Sequence, residues 1–446
     1  MWFRRDLRLA DNPALLAAIE TARADGDGRV VPLFVLDPAL WDASGPVRRA
    51  YLAASLRELD SSLGGHLVVR HGDPVDVVPR LARQTQALSV HVAADFGPYG
   101  RLRDEAVEAA LRIPLIRTGS AYAVAPGRVT KDDGTAYRVF TPFWKAWVRH
   151  GWRAPAPSPD TDPHWASIES EDLPSVPDLG NLVLPAAGEA AARDRWSAFR
   201  SGALSGYGEN RNRPDLDGTS VMSHHLRWGE VHPRTLLADL TPRDEVFQKE
   251  LCWREFYADV LANEPESAHR SLDPRFDDDM RWTDGPAATE ALAAWCEGRT
   301  GYPFVDAGMR QLRAEGWMHN RVRMVVASFL VKDLHLPWQL GAREFMHWLR
   351  DGDLASNTHG WQWTAGCGTD AAPFYRVFNP VLQGLKFDPD GDYVRRYVPE
   401  LRHLPGASAH EPWKAIDGHA HGYPEQMVDH SEERNLALAD FEAIKA

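Results

Sequence analysis

The chain has 446 residues and carries a net charge of −13, because 63 Asp and Glu outnumber 50 Lys and Arg. This balance excludes a protein whose whole surface is basic, so any contact with DNA or RNA has to be a local basic patch. Tryptophan is the commonest aromatic residue, with 17 Trp against 16 Phe and 11 Tyr, so indoles are concentrated in this chain.

Short apolar runs alternate with helical patterns through the first part of the chain. Strands that alternate with helices indicate a parallel sheet. We therefore predict an α/β, Rossmann-like domain over residues 1–125, although no G-x-G-x-x-G follows a strand. The predicted strands are Arg29–Leu36, His66–Arg70 and Leu88–Ala93, and the predicted helices are Val47–Leu63 and Arg101–Leu111.

Composition divides the rest of the chain into a linker and a helical domain. Seven prolines between Trp152 and Pro185 oppose any continuous helix or sheet, so residues 126–195 are predicted to form an interdomain linker. Residues 196–446 show helical periodicity and predict an all-α domain. This domain contains 11 of the 17 tryptophans.

One predicted helix, Asp244–Leu261, carries charges inside an aromatic face. At 100° per residue, Trp253, Arg254 and Tyr257 fall within about 60° of Glu250. A surface pair of Glu250 and Arg254, worth about 0.2–0.5 kcal/mol, would explain the charges. A functional site is the alternative, because charges buried among aromatic rings need specific partners.

The helical pattern Trp317–Leu334 has two distinct faces. One is an apolar stripe of Met318, Val322, Val325, Val326 and Phe329. The other holds Asn320, Arg323, Met324 and Ala327, with Arg321 at its edge. This second face fits either a cavity wall, where an apolar ring meets an anionic backbone, or a plain interhelical contact.

Two carboxylates, an amide and two indoles follow within a short stretch. They are Asp351, Asp353, Asn357, Trp361 and Trp363. The pattern fits a glycine-terminated helix followed by a new N-cap, and it also fits a site for a polar heteroaromatic ring. The carboxylates lack His or Cys partners at ligand spacing, so no metal site is predicted.

Cysteine usage and hydropathy indicate the compartment. Cys252, Cys296 and Cys367 have no paired spacing, which fits a reducing environment. No apolar run reaches 18 residues, and the residues after Met1 lack the apolar core of a signal peptide. We therefore expect a cytoplasmic protein without a membrane segment.

Taken together, several segments resemble the photolyase/cryptochrome family, and most closely the class I cyclobutane pyrimidine dimer photolyases. The similarity runs in family order from residue 1 to about 400. The matching stretches are 2–9 (WFRRDLRL), 11–15 (DNPAL), 217–220 (DGTS), 250–257 (ELCWREFY), 301–303 (GYP), 317–324 (WMHNRVRM) and 368–380 (GTDAAPFYRVFNP).

The resemblance implies an α/β antenna domain, a linker and a helical domain that holds FAD beside a DNA-facing cavity. It implies a carbon–carbon lyase in which light excites fully reduced FAD, and the flavin passes an electron to a pyrimidine dimer flipped out of UV-damaged DNA. The dimer ring splits and the electron returns. The expected oligomeric state is a monomer.

The resemblance also implies the cofactor site. Tyr207 and the segment Thr219, Ser220, Val221, Met222 and Ser223 would bind the FAD phosphates, without one usual cation because Val221-Met222 replaces the family's Arg-Leu. Asn357 falls where photolyases place an amide near flavin N5, which is compatible with an anionic reduced flavin. The other residues assigned to the cofactor are Asn320, Arg323, Asp351, Gly352 and Asp353.

A second set is assigned to the lesion and to DNA. Glu250, Asn320 and Met324 would touch the dimer, and Trp253 and Trp363 would form its aromatic walls. The residues expected to bind phosphates are Arg211, Arg254, Arg321 and Arg376.

Trp361 and Trp338 match two members of the tryptophan chain that photoreduces the flavin. The third matching position is Gly285, so either a local insertion brings Trp282 into that role or the terminal donor has moved. Core packing would explain each of these indoles without the motif context. In the antenna domain, the segment 97–101 lacks the Asn-Glu pair of folate binders, which favours a deazaflavin-type antenna over methenyltetrahydrofolate.

Other functions stay open on the sequence. A cryptochrome would sense blue light through flavin without repair, although plant-type cryptochromes tend to carry Asp where this chain has Asn320 or Asn357. A (6-4) photolyase would be expected to have His near Met324, which this chain lacks. A helical nucleic-acid-binding protein without cofactor would be colourless when purified.

Overall fold

The computed structural model describes residues 1–159, 164–369 and 375–445. These residues form two compact units, which are treated separately below. The first unit comprises Met1–Asp178, Pro185–Gly202 and Ser220–Pro265. The second comprises Leu179–Leu184, Ala203–Thr219 and Glu266–Ala446.

Seven short strands occur in the described ranges, and all their pairings are parallel, so the predicted parallel α/β fold of the N-terminal part is confirmed. They form three ladders, ordered β1-β3-β4, β5-β6 and β2-β7. Residues of both larger ladders, including Leu33, Val68 and Val92, share one buried core with Val77 and Val107. The strands are β1 (Trp2–Phe3), β2 (Arg29–Val30), β3 (Leu33–Leu36), β4 (Val68–His71), β5 (Val90–Ala94), β6 (Leu115–Ser120) and β7 (His164–Trp165).

Two predictions about strands are wrong. The predicted strand Arg29–Leu36 is split into β2 and β3, because Pro32 lacks an N–H and interrupts the ladder. The predicted absence of sheet between Trp152 and Pro185 fails at β7, where the N–H of Ala166 donates to the carbonyl of Val30 at 2.9 Å.

Many helices begin at a proline, whose fixed φ and missing N–H suit the first turn. In the first helix the Oδ1 of Asn12 also accepts from the N–H of Leu15 at 3.1 Å. The described helices are α1 (Pro13–Asp25), α2 (Pro38–Trp41), α3 (Pro46–Ser62), α4 (Pro74–Gln84), α5 (Pro98–Ala110), α6 (Phe140–His150), α7 (Gly188–Ser201), α8 (Tyr207–Asn210), α9 (Ser223–Trp228), α10 (Pro233–Ala238), α11 (Glu245–Asn263), α12 (Arg275–Asp278), α13 (Gly285–Glu297), α14 (Pro303–Glu315), α15 (Asn320–Lys332), α16 (Trp338–Trp348), α17 (Leu354–Ala365), α18 (Pro380–Phe387), α19 (Asp392–Tyr397) and α20 (His430–Ala443).

The two units do not follow the predicted limits 1–125, 126–195 and 196–446. Helix α6 and the first part of α7 lie in the predicted linker, and α11 packs in the first unit. Glu255 and Asp259 of α11 explain the second difference: Glu255 accepts from the N–H of Val124 at 3.0 Å, and Asp259 accepts from the N–H of Gly127 at 2.7 Å. Burial raises the pKa of Glu255 to about 6.

The second unit is helical around a large aromatic core. Trp295, Phe329, Trp338, Trp361 and Tyr393 are all buried in it. Across the described residues, none of the helices is long and apolar enough to cross a membrane.

Candidate functional site

In the first unit, the part of α11 that was predicted to carry charges inside an aromatic face is its partly open side. Glu250, Trp253, Arg254 and Tyr257 are half-buried, whereas most other residues of the helix are buried. The indole of Trp253 stacks on Phe140, with ring centroids 3.7 Å apart and planes 6° from parallel. This stacking fixes the orientation of Trp253, while its role as a wall of the lesion site stays a prediction.

Arg254 is held by backbone carbonyls. Its Nη1 donates to the carbonyl of Ala121 at 3.0 Å and its Nη2 to that of Leu226 at 3.2 Å. The guanidinium also lies 4.7 Å from the ring centroid of Tyr122. A phosphate would compete with these contacts, so the predicted phosphate contact of Arg254 stays a prediction.

The segment predicted to bind the FAD phosphates contains a strained residue. Val221 has a φ of 50°, which is rare for a β-branched side chain and typical of binding segments. Ser223 is exposed, whereas Met222 is 1% exposed, so a contact of Met222 with the FAD phosphates stays a prediction. The Nε of Arg195 donates to the carbonyl of Ser220 at 2.8 Å, so a guanidinium reaches this segment although none is present at Val221.

In the second unit, three of the predicted phosphate ligands approach one another. The pKa of Arg321 is lowered mainly by burial and also by the positive charges of Arg211 and Arg376. The Nε and Nη2 of Arg321 donate to the Oδ1 of Asn212 at 3.1 and 2.9 Å. The guanidinium of Arg211 lies 5.6 Å from the ring centroid of buried Tyr207, and Thr219 is half-buried.

The predicted faces of α15 are largely confirmed. The apolar stripe from Met318 to Phe329 is buried, Asn320 is exposed, and Arg321, Arg323 and Met324 are half-buried. Ala327, predicted on the polar face, is instead buried in the aromatic core, because this face closes after its first turns. The helix starts at His319, whose Nδ1 accepts from the N–H of Arg321 at 3.2 Å.

The structure pairs Arg323 with Asp351. The Nη2 of Arg323 donates to Oδ2 of Asp351 at 2.9 Å, and its Nε donates to the carbonyl of Met318 at 2.8 Å. The side chain of Asp351 is 2% exposed, so this ion pair is largely withdrawn from water. Gly352 is buried, and Asp353 is the predicted N-cap of α17, with Oδ1 accepting from the N–H of Ser356 at 3.1 Å.

One face of α17 carries polar groups beside open space. The Nδ2 of Asn357 donates to the carbonyl of Ala342 at 3.0 Å. One turn later, a Cβ atom on Gly360 would meet no heavy atom within 4 Å. The buried Nε1 of Trp361 has no hydrogen-bond partner in the described structure, and Trp363 is half-buried. The open space at Gly360, beside the amide of Asn357, can therefore receive a planar group, whereas the Nε1 of Trp361 is enclosed in the core.

The predicted electron-transfer tryptophans lie around the same helix. The Nε1 of buried Trp338 donates to Ser271 Oγ at 2.9 Å. Trp282 is half-buried, and the N–H of the next residue, Thr283, donates to the carbonyl of His335 at 2.9 Å, which places Trp282 beside the turn that leads to Trp338.

Sequence reasoning missed two residues that pack directly on Trp361. Trp295 lies edge-on with its centroid 6.0 Å away, and Gly341 provides space for the indole. Neither is distinguished by its sequence neighbourhood, since an indole at helical spacing is read as core and a helical glycine carries no contact information.

Comparison with known proteins places these features in a family. Residues 1–160 match DNA photolyase, and residues 247–443 match the FAD binding domain of DNA photolyase. The deoxyribodipyrimidine photo-lyase of Halobacterium salinarum is 40% identical, with 100% of this chain and 98% of the relative covered. That of Streptomyces griseus is 40% identical over 97% of this chain and 96% of its own. The chain belongs to the DNA photolyase family.

Solved photolyase structures have the same fold. A bacterial class III photolyase from Agrobacterium tumefaciens superposes with a TM-score of 0.90 at 38% identity, covering 100% of this chain and 97% of that one. A Synechocystis cryptochrome superposes with a TM-score of 0.88 at 27% identity, covering 98% of this chain and 97% of that one. A Sulfolobus tokodaii photolyase with two FAD molecules superposes with a TM-score of 0.84 at 28% identity, covering 99% of each chain. The family is thus confirmed, while class I is not separated from other classes.

The described residues of the second photolyase unit fit the ring system of FAD. An isoalloxazine presents a flat apolar face and an edge of nitrogens and carbonyl oxygens. The space above Gly360 matches the flat face, and the carbonyl of Asn357, whose Nδ2 is engaged by Ala342, is an acceptor for the edge. The Arg323–Asp351 pair supplies a fixed positive group on the neighbouring helix.

Proposed function

We propose that this protein is a light-driven DNA repair lyase, a deoxyribodipyrimidine photo-lyase that splits cyclobutane pyrimidine dimers. The observation that carries the proposal is that α15 contributes arginines to two different sites. Arg323 pairs with Asp351 just before α17, whose open face fits a flavin ring, and Arg321 lies near Arg211 and Arg376. A flavin site and an anion-binding surface therefore share one helix.

The arginine group is best explained by phosphates. The guanidiniums of Arg211 and Arg376 lie close enough to Arg321 to lower its pKa, so both repel it in the free protein. A DNA backbone would neutralise this repulsion and release its own counterions. Such contacts fix the register of a duplex but do not read its sequence, which suits an enzyme that recognises a lesion.

The chain's own residues hold and tune the cofactor. Bound reduced FAD supplies, when excited by light, the electron that opens the dimer. Asn357 keeps its carbonyl oxygen for the ring because its Nδ2 is engaged by Ala342. Asp351, whose carboxylate is buried, holds the half-buried guanidinium of Arg323 in place to stabilise an anionic reduced ring. Tyr207 and residues 219–223 are proposed to bind the phosphates.

The lesion contacts follow from the family resemblance. Glu250, Asn320 and Met324 are proposed to touch the dimer, and Trp253 and Trp363 are each proposed to stack on it. Stacking on such aromatic walls recovers about 1–3 kcal/mol per base, against a cost of a few kcal/mol for flipping. Trp361, Trp338 and Trp282 are proposed to carry electrons to the flavin.

The finer assignments belong to the same proposal. We infer a class I enzyme that acts as a cytoplasmic monomer. A deazaflavin-type antenna is favoured over methenyltetrahydrofolate, because the segment 97–101 lacks the folate-type Asn-Glu pair. The second FAD of the Sulfolobus tokodaii photolyase is a precedent for a tricyclic antenna ring.

Purification followed by a repair assay tests the function. We expect a yellow or blue protein with flavin absorption that restores thymine dimers in a defined oligonucleotide under blue light and leaves them intact in the dark. A reduced, flavin-containing protein that leaves dimers intact in the light would support a cryptochrome-type photoreceptor. A colourless, flavin-free protein that still binds DNA would support a cofactor-free binding protein.

A further inference from the structure

Lys332, the last residue of α15, is buried beneath the segment 375–379. Its side chain reaches the backbone of this segment, where Nζ donates to the carbonyl of Arg376 at 2.7 Å. The ammonium also lies 4.1 Å from the ring centroid of Tyr375. Lys332 is 2% exposed, and an ammonium that deep is costly unless it gains specific contacts. Both of these contacts come from the segment above it.

The same segment is fastened at further points. The N–H of Phe378 donates to Ser328 Oγ at 3.3 Å, one turn before Lys332 on α15. The ring of Tyr375 stacks on Phe441 of α20, with centroids 4.2 Å apart and planes 12° from parallel. A Cβ on Gly366, just after α17, would lie 2.8 Å from the Tyr375 ring. Residues 375–379 are therefore held from below by three elements.

These anchoring contacts counteract the electrostatic repulsion that acts on Arg376. Arg376 is close enough to Arg321 to contribute to lowering its pKa, so repulsion favours moving Arg376 away from α15. A hydrogen bond to the carbonyl of Arg376 itself acts directly on the residue that is repelled. Lysine suits the position because its long apolar stem can cross the core while its head reaches a carbonyl.

We propose that Lys332, assisted by Ser328, is a positioning residue for DNA binding: it holds the backbone of Arg376 so that this side chain joins Arg211 and Arg321 in contacting phosphates. The inference rests on the proposed function, since it requires Arg376 to bind DNA. Lys332 itself is buried and touches neither DNA nor flavin in this scheme.

A double-mutant cycle tests the proposal. Dimer-containing duplex DNA is titrated with the purified holoprotein, Arg376→Ala, Lys332→Met and the double variant over a series of salt concentrations. Losing one phosphate contact reduces the salt slope by about 0.9. We expect Arg376→Ala and Lys332→Met each to lose about this much, and the double variant to match Arg376→Ala alone. Lys332→Arg should restore part of the loss.

Lys414→Met is the matched control. Lys414 is an exposed lysine paired with Glu411, so its variant makes the same Lys→Met change elsewhere on the second unit. We expect its slope to equal that of the unmodified protein. Equal losses in Lys414→Met and Lys332→Met would overturn the proposal, because net charge would then explain both.

Other outcomes separate this inference from the proposed function. If Arg376→Ala leaves affinity unchanged, the DNA-binding role of Arg376 fails. If Arg376→Ala weakens binding and Lys332→Met adds an independent loss, only the positioning role fails. Where Lys332→Met does not fold, Ser328→Ala takes its place in the cycle, with the same expected non-additivity and the same contradicting result.

Hydrogen exchange provides a readout without DNA. The amides of residues 375–379 should exchange faster in Lys332→Met and in Ser328→Ala than in the unmodified protein. Lys414→Met should leave them unchanged. Unaltered exchange in both anchor variants would overturn the proposal, because the segment would then be held by other contacts.

Discussion

Gly341 lies against the benzene ring of the Trp361 indole. A Cβ atom on Gly341 would lie 2.1 Å from Cη2 and 2.6 Å from Cζ3 of Trp361, far inside the normal contact distance of two carbons. Gly341 belongs to α16, which begins at Trp338. The missing side chain therefore allows the helix that carries one proposed electron donor to pack against the other.

Gly341→Ala should displace the Trp361 ring. Overpacking of this kind typically costs about 1–3 kcal/mol, and only part of it is offset by the better helix propensity of alanine. We expect a lower free energy of unfolding and slower photoreduction of bound flavin, measured by urea titration and by absorption changes under blue light with an external reductant. An unchanged rate of photoreduction would contradict the proposed place of Trp361 in the electron path.

Gly360→Ala is the complementary substitution. A methyl group here meets no protein atom within 4 Å, so the apoprotein should keep or gain stability, by up to about 1 kcal/mol. If the flavin ring occupies the open face of α17, the same methyl should weaken FAD binding. Fluorescence titration of apoprotein with FAD measures this, and equal affinity for both proteins would remove the ring from this face.

Asn357→Asp should change which redox states of the flavin are stable. The amide Nδ2 that donates to the carbonyl of Ala342 becomes an acceptor, so the carboxylate is pushed from that position and brings negative charge toward the ring. We expect anionic reduced flavin to be disfavoured, as seen in absorption spectra during photoreduction. Asn379→Asp is the control, because Asn379 caps α18 and either residue caps well; identical spectra for all three proteins would contradict the role of Asn357.

Local sequence patterns predicted the helices and strands better than they predicted which of these elements pack together. The strand and helix periods of Leu88–Ala93 and Val47–Leu63 correspond to β5 and α3, because each is decided by neighbouring residues. The assignment of α11 to the first unit could not be predicted in this way. It depends on Glu255 and Asp259, whose partners at Val124 and Gly127 lie more than a hundred residues earlier in the chain.

The same distinction applies to the site. The polar face of α15 and an N-cap after Gly352 follow from spacing, and the family resemblance assigns both Arg323 and Asp351 to the cofactor site. The contacts of Gly341 with Trp361 and of Lys332 with Arg376 join separate helices and loops. The sequence alone does not show that a helical glycine or lysine makes such contacts, because these contacts form only when the helices pack together.

The number of phosphate contacts can be counted from salt dependence. If Arg211, Arg254, Arg321 and Arg376 all bind duplex phosphates, log K against log salt should have a slope of about −3.6. If the carbonyls of Ala121 and Leu226 retain Arg254, the slope should be about −2.7. Arg254→Ala decides between the two, since it changes the slope only in the first case, and a slope near zero would contradict the whole surface.

Lys332 should give the protein a distinctive dependence on pH. Burial lowers its pKa to about 7, well below the usual value of an exposed lysine, so between about pH 7 and 10 the unfolded chain holds more protons than the folded one. The free energy of unfolding should therefore rise with pH in this window, as the folded protein is relieved of a buried charge, whereas below pH 7 both states are protonated and the penalty is complete. The effect is measured by urea unfolding of the unmodified protein and of Lys332→Met from pH 6.5 to 9.5. The free energy of unfolding of the unmodified protein should rise, relative to that of Lys332→Met, by up to about 1.4 kcal/mol per pH unit. Lys414→Met should show a flat difference, because its lysine is exposed, and a flat difference for Lys332→Met as well would mean that Lys332 stays charged in the folded protein throughout this range.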